Sequence, residues 1–284
     1  MRPHNAFLIL GLALLALIPL WLFFILPELT KVPADYSYHA SFISNVNLRP
    51  EINGEWLGSE IQNTYVDVRP LRWDNKVMLL NEMFRAESVE GEVSYELELK
   101  FAVDRNTRKN AEGLGEGLKE GFFLLPMHVE KTSYPIWAFG YYHSAKFSFA
   151  GEEDVKGIKT YRFSVVNELS DDTEGFAHLE LVPERYNALS EYTSNIWVEP
   201  VSGIIVKYED KGISYYAEKE TGKRVWDFDE WSSRFSEDTV ANMAGTAGRE
   251  RQKIIVFELI IPLLLGAIAL ALFAVAFIGG GRRR

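Results

Sequence analysis

The sequence predicts a mainly β protein of the α+β class, in which one antiparallel β domain lies between an N-terminal and a C-terminal transmembrane helix. The 284-residue chain has a long apolar run near each end. Between these runs, apolar and polar residues alternate with a period of two, which is typical of half-buried antiparallel strands. Short clusters of Gly, Asp, Asn and Thr separate the alternating segments and indicate turns.

Composition excludes several classes of function. Hydrophobic residues make up 47% of the chain and aromatic residues 13%, which is enough to form a core. The net charge of −10 argues against nucleic acid as a partner, because phosphate binding needs clustered Lys and Arg. The absence of cysteine excludes disulfides, thiol catalysis and cysteine metal sites. The five histidines show no metal-ligand spacing, so we predict neither a metal nor a cofactor.

The first apolar run predicts a transmembrane helix over residues 6–27, after a cytoplasmic N-terminus of residues 1–5. About 20 helical residues cross a bilayer. Trp21 lies near the far end, where aromatic rings favour the headgroup region, and a membrane helix tolerates Pro19. A cleaved signal peptide is the alternative, but its apolar core would be shorter, about 7–15 residues.

The second apolar run predicts a transmembrane helix over residues 254–280, with a basic tail at residues 281–284. It contains Glu258 about one turn from its start, where a carboxylate can reach the interface. A helix over residues 236–253 is expected to lead into this span. Ser236 is its predicted N-cap, since the acidic residues that follow suit a first helical turn.

Charge at the chain ends predicts the topology. Arg282, Arg283 and Arg284 favour a cytoplasmic C-terminus by the positive-inside rule, and Arg2 favours the same side for the N-terminus. Basic residues between 249 and 253 argue slightly against this orientation, although long translocated segments escape the rule. We therefore expect a two-pass protein of the cell membrane with residues 28–248 outside the cytoplasm.

Strands are predicted in the outer domain at residues 92–103, 160–166, 177–182 and 190–198, while residues 75–85 could form a strand or a short helix. A hairpin is expected over residues 196–210, because Pro200 and Gly203 suit a turn. Trp197 is its predicted core anchor. The Gly-rich segment at residues 110–121 lacks a dinucleotide fingerprint and is expected to be a surface loop.

Two acidic clusters, at residues 171–174 and 227–230, are expected to lie in solvated loops. Asp227 and Asp229 supply only the start of a calcium-loop pattern, so a weak cation site remains an alternative. The sequence also lacks the H-E-x-x-H and G-x-S-x-G motifs of metalloproteases and hydrolases.

Aromatic residues are concentrated between Phe122 and Phe149, where nine occur in 28 residues. One interpretation is an apolar groove for a lipid tail or a platform for sugar stacking, and the alternative is a core with tyrosines at its edge. The candidate ligand-binding residues are Phe122, Phe123, Tyr134, Trp137, Tyr141 and Tyr142.

A series of short segments in a fixed order resembles the porin PorA family, doubly anchored envelope proteins known mainly from actinobacteria. The series begins with PELTKVP after the first anchor and continues with VDRNT, YP, GIKTYRF, WVEPVSG and a second anchor containing Pro262. The resemblance covers nearly the whole chain. It implies one mostly β extracytoplasmic domain between two helices, with no catalytic residues to transfer.

Three hypotheses for function follow. The first is a non-enzymatic envelope protein whose outer domain binds a lipid, a lipoglycan or another envelope component at the membrane surface. The second is a channel, which the family name implies; it would need a homo-oligomer, because two apolar helices supply no polar lumen. The third is an envelope enzyme with a dispersed acidic site at Asp227 and Asp229.

Overall fold

The computed structural model describes residues 3–115, 120–137, 144–179, 181–182 and 184–281. The chain forms two compact units. A helical unit comprises Met1–Pro33 and Arg249–Arg284, and a β unit comprises Ala34–Gly248. Strands dominate the structure, which confirms the predicted mainly β class.

The helices form two long segments, and each segment contains one π-helical turn between two α-helices. Their bounds are α1 (Pro3–Leu20), a π turn (Trp21–Ile25) and α2 (Leu26–Thr30), then α3 (Glu237–Ile255), a π turn (Val256–Ile260) and α4 (Ile261–Gly281). The first segment and the second are both long and apolar enough to cross a membrane by length and composition. Ser236 accepts a hydrogen bond from the Thr239 N–H at 3.1 Å, as expected of an N-cap.

Small residues let α1 and α4 pack closely side by side in antiparallel orientation. A Cβ atom at Gly11 would lie 2.6 Å from the Phe273 ring, and one at Gly266 would lie 3.8 Å from Ile18. Ala269 is completely buried. Such close approach is typical of membrane helix pairs, where packing rather than the hydrophobic effect drives association.

One side-chain hydrogen bond links the two helical segments at their π turns. The Ile261 N–H donates to the Val256 carbonyl, five residues earlier. The next residue, Pro262, has no N–H to donate to the Phe257 carbonyl in the same way. The Trp21 indole N–H donates to that carbonyl at 2.8 Å instead. The indole therefore satisfies a backbone acceptor that the proline leaves without its helical donor.

The β unit is built on one antiparallel sheet of eleven strands. The strands are β1 (Tyr38–Leu48), β2 (Ser59–Trp73), β3 (Val77–Ser88), β4 (Val93–Asp104), β5 (Asn110–Gly115), β6 (Ser133–Ile136), β7 (Ala145–Val155), β8 (Ile158–Asp171), β9 (Tyr186–Val198), β10 (Ile205–Glu218) and β11 (Arg224–Phe235). Their order in the sheet is 5-4-3-2-1-11-10-9-8-7-6. Two meanders are therefore joined where β1 pairs with β11.

The two edges of this sheet meet through the segment at Gly121 and Phe122. The Asn110 N–H donates to the Gly121 carbonyl at 2.9 Å, on the β5 edge. The Phe122 N–H donates to the Pro135 carbonyl on β6, and the Trp137 N–H donates to the Phe122 carbonyl. The sheet therefore curls round so that one face becomes an interior.

The predicted hairpin at residues 196–210 is present, and its turn is held against a neighbouring segment. Trp197 is 4% exposed and donates its indole N–H to Glu153 at 2.7 Å, so it is a core residue as predicted. Gly203 has a φ of +74°, and a Cβ there would lie 2.4 Å from the Pro126 carbonyl oxygen. Glycine is required at this position both by the torsion and by the close contact.

Three local predictions are wrong. The described residues of the segment 177–182, which are 177–179, 181 and 182, form turns and a bend between β8 and β9 instead of a strand. Their apolar residues cover the core near Tyr216 and Phe228, which explains the alternation. The acidic residues 227–230 belong to β11 instead of a loop, and the start of the Gly-rich segment forms β5. Residues 75–85 lie almost entirely within β3, which decides the choice between strand and helix for strand.

Candidate binding cavity

The predicted aromatic residues pack among other rings in one part of the sheet interior. Phe123 lies 4.8 Å from Phe101 between ring centroids, and Phe122 lies 5.9 Å from Tyr134. Tyr134 in turn contacts Phe163 at 5.7 Å. We call this region, centred on these five residues, the packed end of the interior.

The packed end leaves little of the predicted site accessible. Phe122 and Phe123 are buried, whereas Tyr134 and Trp137 are half-buried. Tyr141 and Tyr142 lie outside the described residues. The four described residues do not line the cavity found elsewhere in the interior. Their role as ligand-binding residues stays a prediction.

A cavity of about 410 Å³ occupies the other part of the interior, which we call the cavity end. Its walls come from the inward-facing residues of β1 to β4 and β9 to β11, together with the turns between β8 and β9. The two sides differ in chemistry. Strands β9 to β11 supply mainly hydroxyl and carboxyl groups, and strands β1 to β4 supply mainly apolar groups.

The first polar row crosses three neighbouring strands. Ser190, Ser214 and Asp229 are consecutive register partners on β9, β10 and β11. The hydroxyl oxygens of Ser190 and Ser214 are 2.9 Å apart. Ser170 extends the row onto β8, where its hydroxyl donates to the carboxyl group of Asp172. Asp172 also lines the cavity, so this row has a carboxyl group at each end.

The second polar row lies deeper, nearer the packed end. Asp210, Ser233 and Ser44 are register partners on β10, β11 and β1. Ser44 is hydrogen-bonded to the hydroxyl of Ser233, and its oxygen lies 3.2 Å from that of Thr64 on β2. The hydroxyl groups in both rows are therefore largely satisfied by one another.

Trp231 lies between the two rows, opposite Gly212 on β10. A Cβ atom at Gly212 would be 2.4 Å from the Trp231 ring, so glycine makes room for the indole to lie across the β10 backbone. The indole N–H donates to Asp210 Oδ2 at 3.2 Å. Asp210 and Gly212 together hold the ring in place beside the cavity.

The opposite wall is mainly apolar. It includes Val46 and Leu48 on β1, Phe84 on β3 and Leu97 on β4, although polar side chains of these strands also line the cavity. Phe176, in the turns between β8 and β9, packs against Phe228. The small side chains of the polar rows and the apolar side chains of the opposite wall enclose a space with one polar side and one apolar side. An amphiphilic molecule, with a polar and an apolar part, would find a complementary surface for each part.

Carboxyl groups dominate the electrostatics of the cavity. Burial raises the pKa of Asp229 from 3.8 to about 7. Its Oδ1 atom is shielded from solvent and has no hydrogen-bond partner within the described ranges. Burial raises the pKa of Tyr192, and the negative charges of Glu168, Asp172 and Asp210 raise it further. No Lys or Arg is among the described residues that line the cavity.

The two aspartates considered for an acidic site differ in their surroundings. Asp227 Oδ1 pairs with the Arg224 guanidinium at 2.6 Å, whereas Asp229 lines the cavity. Within the described part of the chain, no group of three or more His, Asp or Glu side chains is placed to hold a metal ion.

Sequence reasoning missed most of this cavity. Its polar wall is made of single serines, aspartates and a tryptophan on different strands, and these residues form no sequence motif. A usable signal is present in hindsight: Ser190 and Ser194 occupy inward positions of β9, where a core strand would carry large apolar residues.

Three solved structures show distant likeness to this chain. DynF from the dynemicin biosynthesis pathway of Micromonospora chersina is 9% identical, with a TM-score of 0.25 over 72% of this chain and 82% of that chain. A DUF1329 family protein from Desulfovibrio piger is 11% identical, with a TM-score of 0.19 over 84% and 92%. An acyl-CoA hydrolase from Agrobacterium tumefaciens is 11% identical, with a TM-score of 0.15 over 74% and 82%. All three TM-scores are too low to support a conclusion about this chain.

Sequence comparison is more informative about the family. No curated protein matches the chain significantly. The pattern that describes the family "Porin PorA" matches residues 5–278, which include the β unit and nearly all of both apolar helical segments. Together with those two segments, this match indicates a membrane protein. The chain belongs to the porin PorA family.

Proposed function

We propose that this protein is a non-enzymatic component of the cell envelope, and that its β unit binds a lipid or another envelope amphiphile in the interior cavity. The observation that carries this proposal is the division of the cavity into an apolar wall and a wall of hydroxyl and carboxyl groups. A purely structural interior would be filled with side chains to crystal-like density.

The apolar wall accounts for the affinity that such a ligand would have. Transfer of apolar surface out of water stabilises a complex by roughly 25 cal/mol per Å². Val46, Leu48, Phe84 and Leu97 offer such surface to an acyl or isoprenoid chain. The polar rows supply orientation, because hydroxyl and carboxyl groups would contact the head of the ligand rather than its tail.

Ligand binding is tested by extraction of the full-length protein from native membranes in polymer-bounded discs, followed by mass spectrometry of the bound lipids. The variant Ala86→Phe fills the cavity from its apolar side. The control Ser232→Phe places the same side chain at an exposed position that does not line this cavity. We expect a tightly bound amphiphile with the wild type and the control and its loss with Ala86→Phe. A wild-type protein without any enriched amphiphile would contradict the proposal.

We further propose that both termini are cytoplasmic and the β unit lies outside the cytoplasm. The three arginines at the C-terminus support this orientation. Because the chain has no cysteine, single cysteines report topology without a background signal. A membrane-impermeant maleimide should label Ser232→Cys in intact cells and His4→Cys only after lysis. The reverse pattern would overturn the orientation.

The family name suggests a channel as the alternative. A pore needs a polar lumen, and Glu258 is the one charged residue between 254 and 278. A channel would therefore need several copies of the chain. Reproducible single-channel currents from the purified protein in planar bilayers would favour this alternative over amphiphile binding.

A further inference from the structure

We propose that the cavity selects amphiphiles whose polar head carries a protonated amine. This inference rests on the proposed function and adds the charge class of the head group. Its basis is the balance between hydrogen-bond donors, acceptors and charges on the polar wall, which is independent of the apolar wall that supports amphiphile binding in general.

The charge balance is one-sided. Asp172, Asp210 and Asp229 contribute three carboxyl groups to the lining. The described lining residues contain no Lys or Arg to offset them, and His178 is the single basic side chain. The His178 ring nitrogen Nδ1 lies 3.2 Å from the Gly175 carbonyl oxygen within the same turn. A ligand that carries positive charge would compensate this excess.

The hydrogen-bond balance points the same way. Each hydrogen bond between two hydroxyls of these rows uses one O–H donor, so only part of their donors remains for a ligand. Asp229 lines the cavity, and its Oδ1 atom, although shielded from solvent, has no donor within the described ranges, so this carboxyl group has acceptor capacity that the protein does not fill. An ammonium group has three N–H donors and no acceptor, which matches an acceptor-rich wall. A carboxylate or phosphate head would bring further acceptors and like charge to the same wall.

Aromatic geometry adds a third contribution. Trp231 lies between the two polar rows, and its N–H is directed at Asp210. Tryptophan has the most favourable ring face for a cation within about 6 Å. An ammonium group between Asp229 and Trp231 would therefore gain a charge-assisted hydrogen bond and a cation–π contact together. Its alkyl chain could then extend along the apolar wall.

The test compares three probes with the same short chain and different heads: octylamine, octanoate and octyl glucoside. The full-length protein in polymer-bounded discs is first loaded with the neutral fluorophore N-phenyl-1-naphthylamine. Each probe is then titrated into this sample at concentrations below its micellar concentration. Empty discs provide the background. At pH 7.5 we expect octylamine to displace the fluorophore at a concentration at least tenfold lower than octanoate.

Variants connect the preference to the polar wall. Asp229→Asn should weaken octylamine at least fivefold and weaken octyl glucoside by a smaller factor. An unchanged far-UV circular dichroism spectrum shows that the variant is folded. The matched control Glu230→Gln removes the neighbouring charge from an exposed position outside the cavity lining and should change neither probe.

The outcomes separate this inference from the proposed function. If octanoate or octyl glucoside binds as well as octylamine, amine selectivity is overturned while amphiphile binding stands. If the octylamine preference survives Asp229→Asn unchanged, the assignment of the head to this wall is overturned. If none of the three probes displaces the fluorophore, both the inference and the proposed function fail.

Discussion

The packed end and the cavity end of the β unit lie inside the same sheet, yet they are built from opposite kinds of side chain. Inward positions at the packed end carry Phe101, Phe147 and Phe163, all at most 2% exposed. Equivalent positions at the cavity end carry Ser190, Ser214 and other small residues. The same strands run through both regions, with a register shift on β8 between Val165 and Glu168. The size and polarity of inward side chains, and not the topology, therefore decide where the interior is solid and where it can accept a ligand.

The largest contrast should appear when an aromatic ring is removed from each end. Phe163→Ala is expected to lower the free energy of unfolding by about 3–5 kcal/mol, because the surrounding rings can relax only partly around the lost volume. Phe84→Ala at the half-buried cavity wall should cost less than about 2 kcal/mol, since its ring already borders open space. Denaturant unfolding of the full-length protein measures both. Equal losses would show that the two ends are packed alike.

The second contrast concerns pH. The folded-state pKa of Asp229 is about 7, against an ordinary value of 3.8, so the folded protein holds this proton more tightly than the unfolded chain does. The contribution of Asp229 to stability is therefore fully present below about pH 4 and is lost as the pH rises through about 7. Asp229→Asn removes this decline and should raise the free energy of unfolding at pH 8 by between about 1 and 4 kcal/mol.

Water that enters the cavity reduces the stabilisation by Asp229→Asn at pH 8. The size of this stabilisation therefore measures how far water is excluded from the polar wall. The comparison is made by denaturant unfolding at pH 4 and pH 8. Glu230→Gln serves as the control and should leave the pH dependence unchanged. If the difference in unfolding free energy between the wild type and Asp229→Asn is the same at pH 4 and at pH 8, Asp229 is fully solvated.

A third contrast compares the turn between β9 and β10, at the packed end of the β unit, with the turn between β10 and β11, at the cavity end. Gly203 and Gly222 both have positive φ, at +74° and +67°. A Cβ at Gly203 would clash with the carbonyl oxygens of Leu125 and Pro126, whereas a Cβ at Gly222 would meet nothing within 4 Å. Gly203→Ala should therefore cost roughly 2 kcal/mol more than Gly222→Ala, which pays only for the torsion. Thermal unfolding of the two variants checks this, and equal costs would contradict the close contact at the packed end.

The smallest effect is expected at a single hydroxyl. Ser190→Ala removes the hydrogen bond to Ser214, which normally contributes about 1 kcal/mol. Because the cavity can admit a water molecule to replace the lost hydroxyl, the measured loss of unfolding free energy should stay below about 1 kcal/mol. A loss above about 2 kcal/mol would indicate that water does not reach this row.

The sequence was sufficient to predict the parts of the molecule that depend on local periodicity. The apolar spans, strand β4 and the hairpin around Pro200 and Gly203 each follow from spacing within one segment. The Trp197 position followed for the same reason. Such patterns need no knowledge of which strands become neighbours.

The cavity depends on neighbours that are distant in sequence, and it was not predictable in the same way. Ser44 meets Ser233 across 189 residues, and Trp231 fits against Gly212 only because β10 and β11 pair in one register. The aromatic-rich segment gave the strongest local signal, and its described part proved to fill the packed end. Asp229 was noticed as part of an acidic cluster, but its burial could not be read from adjacent residues.

The pairing of β1 with β11 has a consequence for the order of events during synthesis. Strand β1 begins near residue 38 and pairs with β2, which follows it directly, but its other partner, β11, is synthesised only about 190 residues later. During translation, one edge of β1 stays unpaired until β11 has been synthesised, because β11 is the strand that joins the first meander to the second. Pairing over so long a separation is entropically slow. The newborn chain therefore carries an exposed strand edge for most of its emergence, and it would be most vulnerable to aggregation or to capture by a chaperone just before residue 235 appears.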